Sequence, residues 1–241
     1  MAKPSDPNSF AGLKRLIPRA VKESLKTRLQ ERRLAGAIRS ISRLPVGTAP
    51  TSEMLERLES GWSNEGMAAQ LGFVKEVAQH ALTTPGPILE CGSGLTTLIL
   101  ALLAGQRGVD VWTFEHFPDW HQRVSETLTR HKLPHTNNVL APLKDYGDFS
   151  WYDPPLEQLP PRFALVICDG PPGTTRGGRV GLVPVMKTRL SPGTVILLDD
   201  SDRDEEAQAM ADWGKVFRFD SVSCDQLRGQ FTVMTIRGES L

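Results

Sequence analysis

Four apolar runs in this 241-residue sequence end in acidic side chains. The acids are Glu90, Glu115, Asp169 and the adjacent pair Asp199-Asp200. A single acid at the end of a buried strand is common, but four in one sheet are less expected by chance. If the runs are parallel strands, their carboxyl ends meet at one edge of a sheet, where open α/β sheets bind ligands. The pattern therefore predicts a polar ligand site at that edge.

Two glycines follow the first acid directly, in the run Glu90-Cys91-Gly92-Ser93-Gly94. Glycine lets a ligand approach the backbone closely, and this turn immediately precedes a predicted helix N-terminus. Glu115 ends the next predicted strand, where a carboxylate can accept two hydrogen bonds from a ribose diol. Thr97 replaces the third glycine of a G-x-G-x-x-G dinucleotide fingerprint, which disfavours a nicotinamide or flavin cofactor.

The elements that must position these residues alternate between strand and helix periods. Strands are predicted at 88–91, 109–114, about 138–140, 163–168 and 193–198, with a last pair at about 215–223 and 230–237. Helices are predicted at 65–83, 95–103, 118–131, 178–190 and 203–213, and residues 143–161 are predicted to form a long loop. This order predicts an α/β fold with a Rossmann-like, doubly wound sheet of seven strands. The sheet is mostly parallel and ends in a C-terminal antiparallel hairpin.

Composition and charge exclude several classes of protein. Apolar residues make up 39% of the chain, which is enough for a globular core. The 28 basic side chains balance the 28 acidic ones, so the whole chain gives no strong nucleic-acid signal. Cys91, Cys168 and Cys224 form no C-x-x-C pair, and we expect the first two to act as small buried residues. Without a signal peptide or a long apolar run, a cytoplasmic location is expected.

The first fifty residues differ from the rest of the chain in charge. They carry eleven basic and three acidic side chains, a net charge of +8. Leu13, Leu16, Ile17, Val21, Leu25 and Leu29 recur at helical spacing within them. We therefore divide the chain into a basic amphipathic arm and linker, residues 1–50, and a domain, residues 51–241. The arm either packs on the domain or docks on an anionic membrane surface, a protein partner or nucleic acid. The sequence does not choose between these alternatives.

The ordered set of Glu90-x-Gly92-x-Gly94, Glu115, Asp169 and a closing hairpin resembles class I S-adenosylmethionine-dependent methyltransferases over residues 65–237. The run Asp169-Gly170-Pro171-Pro172-Gly173 is similar to a D-G-P-x-G turn in one subgroup of small methyltransferases. The resemblance implies that Gly92-Ser93-Gly94 binds S-adenosyl-L-methionine, with both glycines under its methionine part. It also implies that Glu90 lies near the cofactor's amino group, that Glu115 holds its ribose hydroxyls, and that Pro142 and Leu143 flank its adenine.

The same resemblance places Asp169 among the cofactor-binding residues and makes it the first choice for a base or orienting group at the point of transfer. No N-P-P-Y run follows the fourth strand, which favours an oxygen acceptor on a small molecule or glycan. Tyr146, Trp151 and Tyr152 in the predicted long loop are expected to help form the acceptor pocket. Trp120 either packs against the adenine or joins the core, and His116 and His121 are further candidates for contact.

Two questions stay open on the sequence alone. Asp169, Asp199 and Asp200 resemble the Mg²⁺ ligands of catechol-type O-methyltransferases, in which the last ligand is usually Asn. In the alternative, Asp199-Asp200-Ser201 caps the next helix and no metal is needed, and the stiff Pro171-Pro172 turn inclines us to this metal-free interpretation. The function also has two alternatives: the protein is an inactive cofactor-binding module, or it is a Rossmann-type oxidoreductase.

Overall fold

The computed structural model describes residues 19–63, 69–133 and 137–240. The strands are β1 (Ile88–Cys91), β2 (Val111–Glu115), β3 (Asn137–Leu140), β4 (Leu143–Asp145), β5 (Ser150–Tyr152), β6 (Leu165–Cys168), β7 (Val195–Leu198), β8 (Phe217–Asp225) and β9 (Gln230–Glu239). The α-helices are α1 (Arg19–Ser42), α2 (Ser52–Trp62), α3 (Leu71–Thr83), α4 (Leu95–Leu103), α5 (Pro118–Arg130), α6 (Leu182–Met186) and α7 (Asp204–Gly214).

Seven strands form one sheet in the order β3-β2-β1-β6-β7-β9-β8. The first five are parallel, and β9 runs antiparallel to both β7 and β8. The strand order reverses between β1 and β6. The chain first adds β2 and β3 on one side of β1, and it then returns to add β6 and β7 on the other side. This topology confirms the predicted fold class, and it places the switch point beside the glycine turn.

Both faces of the sheet are covered, as its continuous apolar strands require. Every residue of β1 and β6 is buried, and α4 is buried on all sides in a core formed with α1, α2 and α3. The second core, on the other face, contains α6, α7 and the side chains of Trp151 and Tyr152. Because Cys91 pairs with Cys168 and Cys168 with Leu198, the central strands end level with one another. The acids that follow them are therefore brought to one edge.

Two predicted elements differ from those in the structure. The predicted loop 143–161 contains an antiparallel pair, β4 with β5. Trp151 and Tyr152 are fully buried in the core, so the expectation that they line an acceptor pocket was wrong. The helix predicted at 178–190 is limited to α6 and a following 3-10 turn at Lys187–Arg189. Gly177 and Gly178 just before it have positive φ angles of 80° and 51°, which a continuing right-handed helix does not accommodate.

Helix α1 lies within the basic arm and packs against the rest of the fold. Leu34, Ile38 and Ile41 are buried in the same core as α2, and a Cβ on Gly61 would lie 2.5 Å from the backbone nitrogen of Leu34. The two helices therefore cross at close range. Leu13, Leu16 and Ile17 lie outside the described residues, and so does the predicted start of the helix at residue 65. The division at residue 50 stays a prediction. In the described part of the chain, no helix combines the length and apolar character needed to cross a membrane.

Candidate functional site

The turn after β1 brings two halves of the sheet edge together. Gly92 has a positive φ of 89°, and a Cβ there would lie 3.1 Å from the carbonyl oxygen of Asp169 and 3.2 Å from the nitrogen of Gly170. Any larger residue would press on the backbone after β6, so both the conformation and the close approach favour glycine. The amide of Gly92 donates to the carbonyl of Phe114, which fixes the turn to β2.

Glu90 is fully buried beneath this turn. Its Oε2 accepts hydrogen bonds from the hydroxyls of Thr97 and Thr113, each at 2.7 Å. Its Oε1 is buried and has no hydrogen-bond partner among the described residues. Burial raises the pKa of Glu90 to about 7, although the threonine hydroxyls oppose the rise. A buried carboxylate with one unpaired oxygen is suited to binding a cationic group.

Thr97 has a role that sequence reasoning missed. Its hydroxyl accepts from the amide of Gly94 at 2.8 Å and donates to Glu90. The residue that departs from the dinucleotide fingerprint thus ties the glycine turn to the buried acid. In the sequence, Thr97 stood out only because it replaces the third glycine of the fingerprint, at the third residue of α4.

Glu115 ends β2 beside the same turn and is 4% exposed. Its Oε2 accepts from the amide and hydroxyl of Ser93 at 3.1 and 2.9 Å. Its Oε1 accepts from the amide of Phe117 at 2.8 Å and lies 3.2 Å from Nδ1 of His116. Burial raises the pKa of Glu115, but these donors outweigh burial, and the pKa is lowered overall. The carboxylate is therefore held ionised, with Oε2 against the glycine turn and Oε1 against the residues that follow β2.

The side chains expected around an adenine lie next to this acid. The amide of Ala141 donates to the carbonyl of Glu115 at 2.7 Å, which places Pro142 and Leu143 after it at the surface, both exposed. Trp120 donates from Nε1 to the carbonyl of Ser93 at 2.6 Å. His121 instead contacts the carbonyl of Asn138, away from Glu115.

The second half of the edge is a cluster of aspartates. One carboxylate oxygen each of Asp169, Asp199 and Asp200 lies within 4.8 Å of the others. Asp200 has a positive φ of 53°, a conformation that Asp tolerates better than most residues. Helix α7 begins at Asp204 with Arg203 as its N-cap, so the alternative in which Asp200 and Ser201 cap that helix was wrong. The three predicted acids do converge.

Arg179 lies in the middle of these aspartates, and sequence reasoning missed it. Its side chain is 2% exposed, and its Nη2 lies 3.2 Å from Asp169 Oδ1 and 3.0 Å from Asp200 Oδ2. Its Nη1 donates to the backbone carbonyl of Asp199. Burial raises the pKa of Asp169 to about 8; Arg179 opposes that rise, and the two neighbouring carboxylates add to it. An arginine in a glycine-rich irregular segment gave no periodic signal that could have found it.

A cavity of about 400 Å³ opens beside this cluster. It is lined by Asp169 and by residues from four separate segments, which are Ala69, Gln70, Pro172, Gly173, Arg179, Asp199, Asp200, Arg203 and Arg228. Asp169, directly after β6, has a side chain that is 25% exposed, so a molecule in the cavity can reach its carboxylate. The cavity is large enough for a small polar molecule.

The strand order is that of the Rossmann-like fold found in methyltransferases, and the solved structures similar to this chain have that fold. A methyltransferase of Podospora anserina, solved with S-adenosylhomocysteine (SAH) bound, aligns with a TM-score of 0.55 and 14% identity over 92% of this chain and 98% of its own. An O-methyltransferase of Bacillus cereus, also in complex with SAH, aligns with a TM-score of 0.51 and 14% identity over 78% and 92%.

A third similar structure is the C-terminal domain of precorrin-6Y C5,15-methyltransferase of Rhodobacter capsulatus, with a TM-score of 0.51 and 15% identity over 76% and 96%. No protein-family model and no curated protein matches the sequence. At these identities the similarity establishes the fold.

Proposed function

We propose that this protein transfers a methyl group from S-adenosyl-L-methionine to an acceptor oxygen. The observation that carries the proposal is the buried, unpartnered Oε1 of Glu90 beneath a glycine turn. A carboxylate oxygen in that position is expensive to bury alone, and an ammonium group such as that of the cofactor's methionine part would pair with it. The fold supports the same cofactor.

The remaining cofactor contacts follow the two strand ends. Gly92 and Gly94 would lie under the methionine part, with Ser93 between them. Gly92 admits the backbone after β6, whereas a Cβ on Gly94 would meet only Trp120, at 4.0 Å. Glu115 would accept the ribose diol, for which the Ser93 hydroxyl must rotate away, whereas the amide donors to Glu115 stay fixed by the chain. Pro142 and Leu143 would flank the adenine.

The cofactor, when bound, supplies the methyl carbon and a sulfide leaving group for an in-line displacement. The protein must align the acceptor and accept its proton. Asp169 can do both, because it lines the cavity, its backbone lies against Gly92, and its raised pKa suits a general base near neutral pH. The oxygen acceptor, a small molecule or a glycan, would lie in the 400 Å³ cavity. Membership of the D-G-P-x-G subgroup is part of this proposal.

A ligand-binding experiment separates the cofactor alternatives. Because a ligand that binds only the folded state raises its melting temperature, S-adenosylmethionine should raise the melting temperature and NAD should not. The reverse result would favour a Rossmann-type oxidoreductase. Mass spectrometry of products from a mixture of acceptors then tests transfer, since binding without any methylated product would identify an inactive cofactor-binding module.

A second proposal concerns partners of the basic segment, and it stands apart from the reaction. Val21, Leu25 and Leu29 form one stripe along α1 and are 46%, 48% and 54% exposed. Another face of the helix contacts the domain, where Gln30 donates to Ser63 at 2.8 Å. The basic side chains around the stripe are Lys22, Lys26, Arg28, Arg32 and Arg33. An apolar stripe flanked by cations suits an anionic membrane surface, to which the protein would attach peripherally.

Vesicle sedimentation tests this surface. Replacing Leu25 and Leu29 with Ser should weaken binding to phosphatidylserine vesicles about tenfold, since two partly buried leucines are lost. Added salt should weaken binding of the unchanged protein. A Val222→Ser control, which removes an apolar side chain exposed on β8, should bind normally. Equal binding by all three proteins would show that this stripe does not contact the membrane.

A further inference from the structure

We propose that the guanidinium of Arg179 is the permanent cation of the aspartate cluster and that the site therefore takes no divalent metal. The inference deepens the proposed function, since it describes how the acceptor side is built, but its test needs neither cofactor nor acceptor. It concerns the three carboxylates whose types and spacing suit Mg²⁺.

Each carboxylate of the cluster already has a protein donor. Arg179 Nη2 lies 3.2 Å from Asp169 Oδ1 and 3.0 Å from Asp200 Oδ2, so one nitrogen bridges the ends of β6 and β7. Arg203 adds a second contact to Asp200 at 2.9 Å. Asp199 accepts from the side-chain amide of Gln226 at 2.9 Å.

The guanidinium and a metal ion would compete for the same oxygens. Mg²⁺ requires oxygen ligands at about 2.0–2.1 Å in near-octahedral geometry. An ion placed among Asp169, Asp199 and Asp200 would lie against Arg179, which cannot lose its charge by deprotonation. Two cations this close repel strongly in a buried site, so the residues present do not fit the metal.

Arg179 is also fixed in place by its surroundings. Its guanidinium donates to the backbone carbonyls of Cys168 and Asp199, and its Nε lies 3.5 Å from the buried carboxylate of Glu206 on α7. The next residue, Val180, accepts a hydrogen bond from Trp213 at 2.8 Å. The side chain is only 2% exposed, so all of these contacts would have to break before Arg179 could move away from a metal ion.

The arrangement assigns Arg179 a positioning role. It holds Oδ1 of Asp169, which leaves Oδ2 as the oxygen available toward the cavity. A metal-dependent site would instead use the carboxylates to hold the ion and the ion to hold the acceptor. Here the carboxylate itself faces the acceptor, and the arginine sets its direction.

The first experiment uses the unchanged protein. Mn²⁺, a paramagnetic substitute for Mg²⁺, is titrated into it and binding is followed by electron paramagnetic resonance. We expect no Mn²⁺ site that depends on the cluster, so the titration should be the same for Asp200→Ala. One tightly bound Mn²⁺ per chain that disappears in Asp200→Ala would overturn the proposal.

The second experiment removes the arginine. Arg179→Ala should lower the melting temperature by about 10 °C, because it leaves buried carboxylates uncompensated. MnCl₂ should then raise the melting temperature again, because Mn²⁺ replaces the missing cation. If Arg179 contributed packing alone, Mn²⁺ would have no such effect. The matched control is Arg176→Ala, three residues earlier, whose exposed partner is Asp145. That control should show no effect of Mn²⁺.

Two outcomes would contradict the proposal: Mn²⁺ stabilising the unchanged protein as strongly as Arg179→Ala, or failing to stabilise Arg179→Ala. If the alanine variant does not fold, Arg179→Gln removes the charge while keeping a hydrogen-bond donor and is read in the same way. Failure of the proposed methyl transfer would appear separately, as absent cofactor binding or product with the metal results unchanged.

Discussion

The two acidic halves of the sheet edge differ in what holds their carboxylates. Glu90, within β1, and Glu115, at the end of β2, are held mainly by hydroxyls and backbone amides. Asp169 and Asp200, after β6 and β7, are held by the buried guanidinium of Arg179. Neutral donors orient a carboxylate and leave its negative charge in place, whereas an arginine orients the carboxylate and also neutralises its charge. The first half therefore suits a cationic, hydroxyl-rich ligand, and the second suits chemistry on a neutral acceptor.

The comparison also separates binding from turnover. If the first half holds the cofactor and the second handles the acceptor, changes in the first should alter affinity and pH response. Changes in the second should alter rate while cofactor binding is retained. The following three predictions use this difference.

The largest effect is expected at Asp169. Asp169→Asn should slow methyl transfer about 10²- to 10⁴-fold, because the amide cannot accept the acceptor's proton. Calorimetry should show nearly unchanged cofactor affinity. The control is Asp145→Asn, which alters an exposed carboxylate on β4 and should leave the rate unchanged. A fully active Asp169→Asn would remove the base from the proposal.

The next effect concerns the pH dependence of stability at Glu90. Because its pKa rises from an ordinary 4.5 to about 7, the folded protein keeps a proton that the unfolded chain has lost between those values. The contribution to the free energy of unfolding is fully present below pH 4.5 and is lost as the pH rises through 7, amounting to about 3 kcal/mol. In urea unfolding, the fall in the free energy of unfolding between pH 4.5 and pH 8 should therefore be about 3 kcal/mol smaller in Glu90→Gln than in the unchanged protein.

Glu126→Gln serves as the control for Glu90, because its side chain is exposed on α5 and should leave the pH response as it is. Equal pH responses in the unchanged protein and Glu90→Gln would mean that Glu90 keeps its charge in the fold. The unpaired oxygen would then need another explanation.

The smallest effect is expected at Glu115. Glu115→Ala should weaken S-adenosylmethionine binding by roughly 1.5–3 kcal/mol, the scale of hydrogen bonds to a charged group. The fold should survive, since a carboxylate at a strand end supports little of the core. Calorimetry measures the affinity and circular dichroism checks the fold, with Glu126→Ala as the matched control. Unchanged affinity would refute the assignment of Glu115 to the ribose.

Much of the fold was predictable because its signals are local. Short apolar runs such as Ile88–Cys91 and Leu165–Cys168, separated by helical periods, predicted the sheet and its class. The hairpin of β4 and β5 was not predicted, because its strands are three residues each and carry no long alternation. These two strands depend on the tertiary structure, because Trp151 and Tyr152 of β5 are buried in the core.

The sequence by itself determined the sheet and the acids that end four strands, since parallel strands necessarily bring their carboxyl ends to one edge. Only the tertiary structure decided the strand order, and with it the switch point, and which groups face those acids. Thr97 reaches Glu90 across a helical turn, and Arg179 comes from an irregular glycine segment to lie between Asp169 and Asp200. A contact of that kind depends on the packing of distant segments around a buried charge, and no local period in the chain records it.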